Sequence, residues 1–156
     1  MRKNPFMSKA IDLSLRNVRT GQGGPFAAVV VKGGEIIAEG VNQVTSDNDP
    51  TAHAEIVAIR NACRMLGSFQ LDGCEIYTTC EPCPMCMGDI YWARPAKVFF
   101  GNTRKDAAAI GFDDSLIYSE LRLPVSRRKI KMTPLMRPQA LRAFDAWKRK
   151  TDKIKY

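Results

Sequence analysis

Apolar and polar positions in the first forty residues switch from helical spacing to strand-type runs. Asn4 followed by Pro5 is typical of a helix start, and the broad apolar stripe that continues up to Gly21 predicts a first helix. Two short apolar runs then predict strands over residues 26–31 and 35–41, joined by a tight glycine-containing turn. The chain therefore begins with a helix and a β-hairpin.

The middle of the chain continues this alternation. Apolar residues recur at helical spacing from Ile56 to Leu66 and stop at Gly67, which predicts a second helix beginning near residue 51. Further along, the pattern predicts strands over residues 74–80 and 98–101, with a helix over residues 84–92 between them. Strands that alternate with helices imply an α/β fold, a three-layer α/β/α sandwich with a mixed central sheet flanked by helices.

After Gly101 the pattern weakens. Helical turns are predicted over residues 104–110 and 115–121, and residues 123–138, which contain three prolines, are predicted to form a loop. A final helix over residues 139–150 places Leu141, Phe144 and Trp147 roughly on one side. The C-terminal segment is thus predicted to be helical and amphipathic.

Length and composition favour one domain. A chain of 156 residues that is 45% hydrophobic can bury one core and is too short to suggest two. Its longest apolar run, residues 26–31, is far below the roughly 20 residues that a membrane span needs. The N-terminus lacks the apolar run of a signal peptide. We therefore expect a single domain over residues 1–156 in a soluble, cytoplasmic protein.

The net charge of +8 is concentrated near the C-terminus. Residues 1–121 contain 12 Lys and Arg against 14 Asp and Glu, whereas residues 122–156 contain 12 against 2. A basic segment of this kind is typical of nucleic-acid binding. It is equally typical of a solvated surface that keeps a protein in solution, and the sequence leaves both interpretations open.

One histidine and a cluster of cysteines indicate a metal site. His53 lies in Thr-Ala-His-Ala-Glu, and Cys83 and Cys86 follow about thirty residues later in Glu-Pro-Cys-Pro-Met-Cys. In a chain without a secretory signal, clustered cysteines favour metal binding over disulfides. Two thiolates and one imidazole make three zinc ligands, and three protein ligands with one open position are typical of a catalytic zinc.

The spacing of these residues suggests distinct roles. Cys83 and Cys86 are three positions apart at a predicted helix start, where both sulfurs face the same way and the thiolate form is favoured. His53 and Glu55 are about 200° apart around a helix, so they can share a site only if the helix end points into it. We expect His53 to bind zinc, and Glu55 to act as the general base for the zinc-activated water without binding the metal.

These residues carry a resemblance. His-x-Glu followed by Pro-Cys-x-x-Cys is the signature of zinc nucleobase deaminases, and the chain resembles the cytidine deaminase superfamily over nearly its whole length. Residues 48–55 and 80–88 look like the branch that contains bacterial guanine deaminases and tRNA adenosine deaminases. Residues 111–115 and the terminal aromatic residue resemble the guanine deaminases, while residues 102–109 do not match the Lys-Thr-Gly-Ala-like stretch of the tRNA enzymes.

The resemblance implies hydrolysis of guanine to xanthine and ammonia with one zinc per subunit. It also implies a second catalytic role for Asp114, which would contact the amino edge of the base and help to move protons. An acidic residue suits guanine because N1–H and the 2-amino group are donors, whereas adenine has an acceptor at N1. The substrate-binding residues implied in this way are Asn42, Phe26, Ala54, Trp92, Asp114 and Tyr156.

The family further implies a homodimer in which the basic C-terminal segment, about residues 122–156, is exchanged between subunits over the partner's site. Two other functions compete with guanine deamination. A tRNA adenosine deaminase, forming inosine in the anticodon loop, is favoured by the basic tail. A non-catalytic zinc-folded binding module would leave Glu55 without a role. Guanosine and aminotriazines are alternative small substrates.

Overall fold

The computed structural model describes residues 3–156, so Met1 and Arg2, at which the predicted domain begins, lie outside the described residues. Two compact units divide the chain, Met1–Asp114 and Ser115–Tyr156. The expectation of a single domain over residues 1–156 stays a prediction. Among the described residues, no helix combines the length and the apolar composition that crossing a bilayer requires.

The first helix, α1 (Pro5–Thr20), has the bounds that its end residues predict. The Asn4 side chain accepts a hydrogen bond from the Met7 amide at 2.9 Å, which satisfies one of the unpaired amides of the first turn. Gly21 ends the helix in the left-handed conformation at φ 71°, where a residue without Cβ is favoured.

A mixed four-stranded sheet forms the centre of the first unit. Its order is β2-β1-β3-β4, where β1 is Ala27–Lys32, β2 is Glu35–Val41, β3 is Cys74–Cys80 and β4 is Lys97–Asn102. Strand β1 is antiparallel to both β2 and β3, and β4 is parallel to β3. The predicted mixed sheet is therefore confirmed, with strand ends within one or two residues of the expected ones.

The helices of the first unit follow the predicted order, with one addition. They are α1, the short α2 (Val44–Asp47), α3 (Ala54–Leu66), α4 (Pro84–Ala93) and α5 (Arg104–Ala109). Residues 42–50 were expected to be loop and contain α2. Helix α3 begins at Ala54 and not near residue 51, because the Asp49 carboxylate accepts from the Thr51 amide and hydroxyl at 2.8 and 2.7 Å and holds a turn there.

Helices cover both faces of the sheet. Helix α1 packs on one face, where Ala10 and Leu13 meet Val29 and Tyr77 in one apolar cluster. Helices α3 and α4 pack on the other face around a second cluster, which includes Val30, Ala58, Ile76 and Ile90. This arrangement confirms the three-layer α/β/α sandwich.

Helix α3 approaches strand β2 very closely at Gly40. A Cβ added at Gly40 would lie 2.3 Å from the Ala54 carbonyl oxygen and 2.4 Å from the Ala58 amide nitrogen. No side chain fits between the two elements. The first turns of α3 are thereby fixed against the sheet.

The second unit consists of α6 (Ser115–Arg122), a 3-10 turn (Val125–Arg127) and α7 (Arg137–Arg149). The Lys153 ammonium donates to the carbonyls of Trp147 and Lys148 at 3.1 and 2.9 Å, which satisfies the C-terminal end of α7. Among residues 115–156, all of which the structure describes, none is buried. Large apolar side chains are exposed throughout this unit: Leu116, Ile117, Leu121, Ile130, Leu135, Phe144 and Trp147.

Candidate metal centre and active site

Three side chains converge in the first unit. The Nδ1 atom of His53 lies 3.5 Å from the sulfur of Cys83 and 3.5 Å from the sulfur of Cys86, and the two sulfurs are 3.6 Å apart. These atoms form a nearly equilateral triangle. Within the described residues, this is the one group of three or more His, Cys, Asp or Glu residues found close enough to hold a metal ion.

The dimensions of this triangle fit zinc. Zinc in tetrahedral coordination, with bonds of about 2.3 Å to sulfur and about 2.0 Å to nitrogen, places two sulfurs about 3.8 Å apart and a sulfur and a nitrogen about 3.6 Å apart. The observed separations of 3.6 and 3.5 Å agree within a few tenths of an ångström. A donor set of two thiolates and one imidazole is also that of a zinc site. One zinc ion, held by His53, Cys83 and Cys86, therefore fits the residues present.

Both binding segments are helix starts. His53 is the N-cap of α3, and Cys83 is the N-cap of α4, with Pro84 as its first residue. Cys86 lies on the first turn of the same helix and is fully buried. Because helix N-termini carry partial positive charge, two helix dipoles stabilise thiolate and carboxylate groups at this point. The expectation that the end of the helix points into the site is confirmed.

The proton affinities of the three donors are strongly coupled. Hydrogen bonding with Cys86, and also with His53, lowers the pKa of Cys83 to about 4. The same contact with Cys83, together with burial, raises the pKa of Cys86. The neighbouring Cys83 sulfur also raises the pKa of His53. The site thus favours a thiolate at Cys83 and disfavours a second negative charge on Cys86, which a bound cation would compensate.

Glu55 is a buried carboxylate beside the donors and is separate from them. One of its oxygens lies 3.5 Å from the Cys86 sulfur, and the other accepts a hydrogen bond from the Thr78 hydroxyl at 3.1 Å. Burial, first of all, raises its pKa, and the charge on Cys83 adds to the effect. A carboxyl group whose pKa is raised toward neutrality is suited to take up and return protons.

An aromatic wall stands next to this centre. The rings of Phe26 and Phe112 meet edge to face, with centroids 4.9 Å apart. A Cβ at Gly24 would lie 3.2 Å from the Phe112 ring, so the loop before β1 passes directly beneath it. Asp114 lies two residues after Phe112. Its pKa is raised because the side chain is partly buried and because the charge of Cys83 lies nearby. The structure therefore brings Asp114 near Cys83, and it packs Phe26 against Phe112, two residues before Asp114.

Asn42 directly follows β2 at the end of the hairpin. It is buried, and its amide donates to the Phe26 carbonyl at 3.0 Å. Its side-chain oxygen lies 3.4 Å from the amides of Gly24 and Val44. Ala54 is fully buried at the first position of α3, between the predicted ligand His53 and the predicted base.

The other two predicted substrate contacts are exposed side chains. Trp92 is on the last turn of α4, whereas the cysteines are at the first turn, and its side chain is 63% exposed. Tyr156 is the last residue of the second unit and is 72% exposed. Their roles in substrate binding, like those of Asn42, Phe26, Ala54 and Asp114, stay predictions.

Two residues of the site were missed by sequence reasoning. Thr78 holds the Glu55 carboxylate, and Phe112 faces Phe26. The strand pattern contained a signal for Thr78, because alternate residues of β3 face α3 and the carboxyl end of this strand leads into the cysteine motif. Phe112 stood in the stretch that resembles guanine deaminases but was not assigned a role.

Comparison with known proteins agrees with this site. Residues 1–102 match the family model of the cytidine and deoxycytidylate deaminase zinc-binding region. Guanine deaminase of Bacillus subtilis (strain 168) is 51% identical over 156 residues, which is all of both chains. The X-ray structure of Bacillus subtilis guanine deaminase superposes with a TM-score of 0.96 at 51% identity, covering 100% of this chain and 99% of the other.

A tRNA-specific adenosine deaminase of Aquifex aeolicus (strain VF5) is 44% identical over 100 residues, covering 64% of this chain and 66% of that relative. An α/β/α sandwich with an imidazole, two thiols and an adjacent carboxylate is the arrangement of a zinc-dependent deaminase. The chain belongs to the cytidine and deoxycytidylate deaminase family. The predicted resemblance, the hydrolase class and the zinc cofactor are confirmed.

Replacing Thr78 by Val tests whether this hydroxyl tunes Glu55. The hydrogen bond from Thr78 favours the ionised carboxylate, so its loss raises the pKa of Glu55 further above its usual value. Because a general base must be ionised, the acid limb of kcat/KM should move to higher pH, and kcat/KM on that limb should fall by up to about tenfold. A pH–rate profile measures this shift.

The neighbouring Thr79 provides the control. Its hydroxyl accepts from the Ala27 amide at 3.0 Å, so Thr79→Val should lower stability and leave the acid limb in place. Coincident pH profiles for Thr78→Val and the unaltered protein would contradict the assignment.

Proposed function

We propose that the protein catalyses the hydrolytic deamination of guanine to xanthine and ammonia. The observation that carries the proposal is the full-length similarity to a guanine deaminase, at 51% identity over all of both chains. The similarity to the tRNA-specific enzyme of Aquifex aeolicus extends over only 64% of this chain. The greater extent of the match to the guanine deaminase favours the free base as substrate.

His53, Cys83 and Cys86 hold the zinc ion in this proposal. Bound zinc with three protein ligands would lower the pKa of a water molecule to about 7 and thereby supply a nucleophile at neutral pH.

Glu55 moves the protons of the reaction. Its carboxylate takes one proton from the attacking water and delivers it to the ring nitrogen next to the amino-bearing carbon. It then carries the second proton from the added hydroxyl to the amino group, which leaves as ammonia while the carbon–oxygen double bond of xanthine forms. The raised pKa of Glu55 suits the return of both protons, because burial favours the protonated acid relative to an exposed carboxyl group.

Asn42, Phe26 and Asp114 position the base. The Phe26 ring offers a flat apolar surface on which a purine can lie, and the Asn42 amide can both donate and accept. Asp114 accepts from the donor edge of guanine in this proposal, and the influence of the nearby Cys83 charge on Asp114 supports a position beside the metal ligands. A buried acceptor left unpaired costs about 1–3 kcal/mol, which disfavours adenine, because its N1 acceptor would face the carboxylate.

The active protein is a homodimer in this proposal, with the segment 122–156 exchanged between subunits. Support comes from the second unit itself, since none of residues 115–156 is buried and apolar side chains such as Phe144 and Trp147 are exposed. The first unit also exposes a surface that a partner chain could cover, because β4 is an edge strand and its Phe100 side chain is 49% exposed. Tyr156 closes the partner's site. A reducing, cytoplasmic location suits the five free cysteines.

A substrate panel is the first test. Purified protein containing one zinc per chain, verified by elemental analysis, should release ammonia from guanine and not from guanosine, adenine, cytosine, cytidine or a tRNA substrate. Glu55→Gln should keep the zinc and the fold and lose at least about a hundredfold in kcat. Formation of inosine in the tRNA anticodon loop without deamination of guanine would establish the competing tRNA function. Absence of activity on every substrate would favour the non-catalytic binding module.

Asp114→Asn tests whether the Asp114 carboxylate recognises the base. Because an amide presents a donor where guanine also has donors, kcat/KM for guanine should fall about a hundredfold or more, through both binding and proton transfer. Asp113→Asn, in the adjacent position of the same loop, is the matched control and should retain most activity. Equal losses in the two variants would remove Asp114 from the substrate site.

Subunit exchange has a complementation test. Sedimentation should give a mass near 34.8 kDa, twice 17.4 kDa. A Glu55→Gln chain and a chain lacking Tyr156 should each be impaired alone, yet refolded together they form one site with Glu55 from one chain and Tyr156 from the other. Recovered activity supports the exchange. A monomeric protein, or mixtures no more active than their parts, would contradict it.

A further inference from the structure

We infer that Asn17 on α1 is a positioning residue for substrate recognition, acting through Asn42 and the loop that leads to Phe26. The inference deepens the proposed function, because it depends on Asn42 contacting the base. It assigns to α1, which carries none of the metal ligands, a role in how tightly and in what orientation guanine is held.

The Asn17 side chain joins two segments of backbone. Its amide nitrogen donates to the Gly24 carbonyl at 2.9 Å and to the Asn42 carbonyl at 3.0 Å. Both partners are acceptors, so the nitrogen and not the oxygen must face them. The residue is 2% exposed, and its own side-chain oxygen has no hydrogen-bond partner among the described residues. An unpaired buried oxygen costs free energy, which the two hydrogen bonds from the nitrogen have to offset.

The two carbonyls belong to the two sides of the base site. Gly24 lies two residues before Phe26, and Asn42 is the predicted base contact. The segments also bond to each other, because the Asn42 amide donates to the Phe26 carbonyl at 3.0 Å and the Gly24 amide lies 3.4 Å from the Asn42 side-chain oxygen. A shift in either segment therefore changes both the ring and the amide that face the substrate.

No neighbouring side chain can take over this contact. A Cβ at Gly23 would lie 2.1 Å from the Asn42 carbonyl oxygen and 3.1 Å from the Asn17 amide nitrogen, so the space is already filled. Ser14, one turn earlier on α1, donates to the Pro25 carbonyl at 2.8 Å and does not reach Asn42. Asn17 is thus the group that fixes the Asn42 backbone from the α1 side.

The metal centre is held by other contacts. Its ligands begin α3 and α4, and the Glu55 carboxylate is held by Thr78 on β3. Loss of the Asn17 bonds should therefore disturb the base site while zinc stays bound. This separation distinguishes a positioning role from a general contribution to the fold, which would lower zinc content and kcat together.

The experiment compares Asn17→Asp and Asn17→Ala with two controls. Asn17→Asp keeps the shape of the side chain and removes the donor, and Asn17→Ala removes both. Ser14→Ala removes a partly buried hydrogen bond of similar length, 2.8 Å, that is donated from the same helix. Asn61→Ala removes an exposed bond to the Glu39 carbonyl, which is 3.0 Å long, and should change nothing. Zinc content and melting temperature are measured for all four.

Each Asn17 variant should raise KM for guanine about tenfold or more at full zinc occupancy, with a smaller effect on kcat. Combined with Asn42→Ala, it should add much less than its effect alone, because the Asn42 amide is gone and only the loop that leads to Phe26 is left to position. Ser14→Ala combined with Asn42→Ala should be additive. Binding of 8-azaguanine to the Glu55→Gln protein, followed by calorimetry, should weaken by the same factor when Asn17→Asp is introduced.

Full additivity of Asn17 and Asn42 substitutions would overturn the inference, as would an unchanged KM. Loss of zinc in Asn17→Asp as well as in Asn17→Ala would overturn it too, because the residue would then be structural. These results leave the proposed function intact if the unaltered protein deaminates guanine. An unaltered protein that neither deaminates guanine nor, as Glu55→Gln, binds 8-azaguanine would instead reject the proposed function together with its dependent inference.

Discussion

The structure depends on holding three metal-binding atoms and one carboxylate at the meeting point of two helix starts. His53 and Cys83 are both N-caps, so each helix presents its positive end to the site. A buried cluster of two sulfurs and a carboxylate would repel itself without that field and a bound cation. The sandwich supplies the remaining requirement, rigidity, because the sheet fixes one helix start relative to the other.

Much of this arrangement could be predicted from the sequence, because local signals specified it. Asn4 and Gly21 fix the bounds of α1 through capping, and the spacing of Cys83 and Cys86 fixes two ligands on one turn. The short α2 was missed because Gln43, its N-cap, makes no side-chain capping hydrogen bond. The first turn of α3 was placed too early, since the Asp49 turn competes with the helix.

Contacts between distant parts of the chain could not be predicted. Thr78 and Glu55 are 23 residues apart, and Asn17 and Asn42 are 25 apart. Their meeting depends on strand register and on which face of α1 packs against the sheet, and neither follows from local periodicity. The exposure of Trp92 and Tyr156 could not be predicted either. An amphipathic pattern shows that an apolar surface must be covered, but it does not specify which segment covers it.

The narrow triangle of donor atoms has a consequence for the choice of ion. The three donor atoms are 3.5 to 3.6 Å apart, and their residues lie at the starts of two helices. One of these helices, α3, packs directly against the sheet at Gly40, where no side chain fits between them. A cation of larger radius, with longer bonds to sulfur, would have to spread these corners and move a helix. These separations match bonds of about 2.3 Å to sulfur, the length typical of zinc, more closely than the longer bonds of a larger ion.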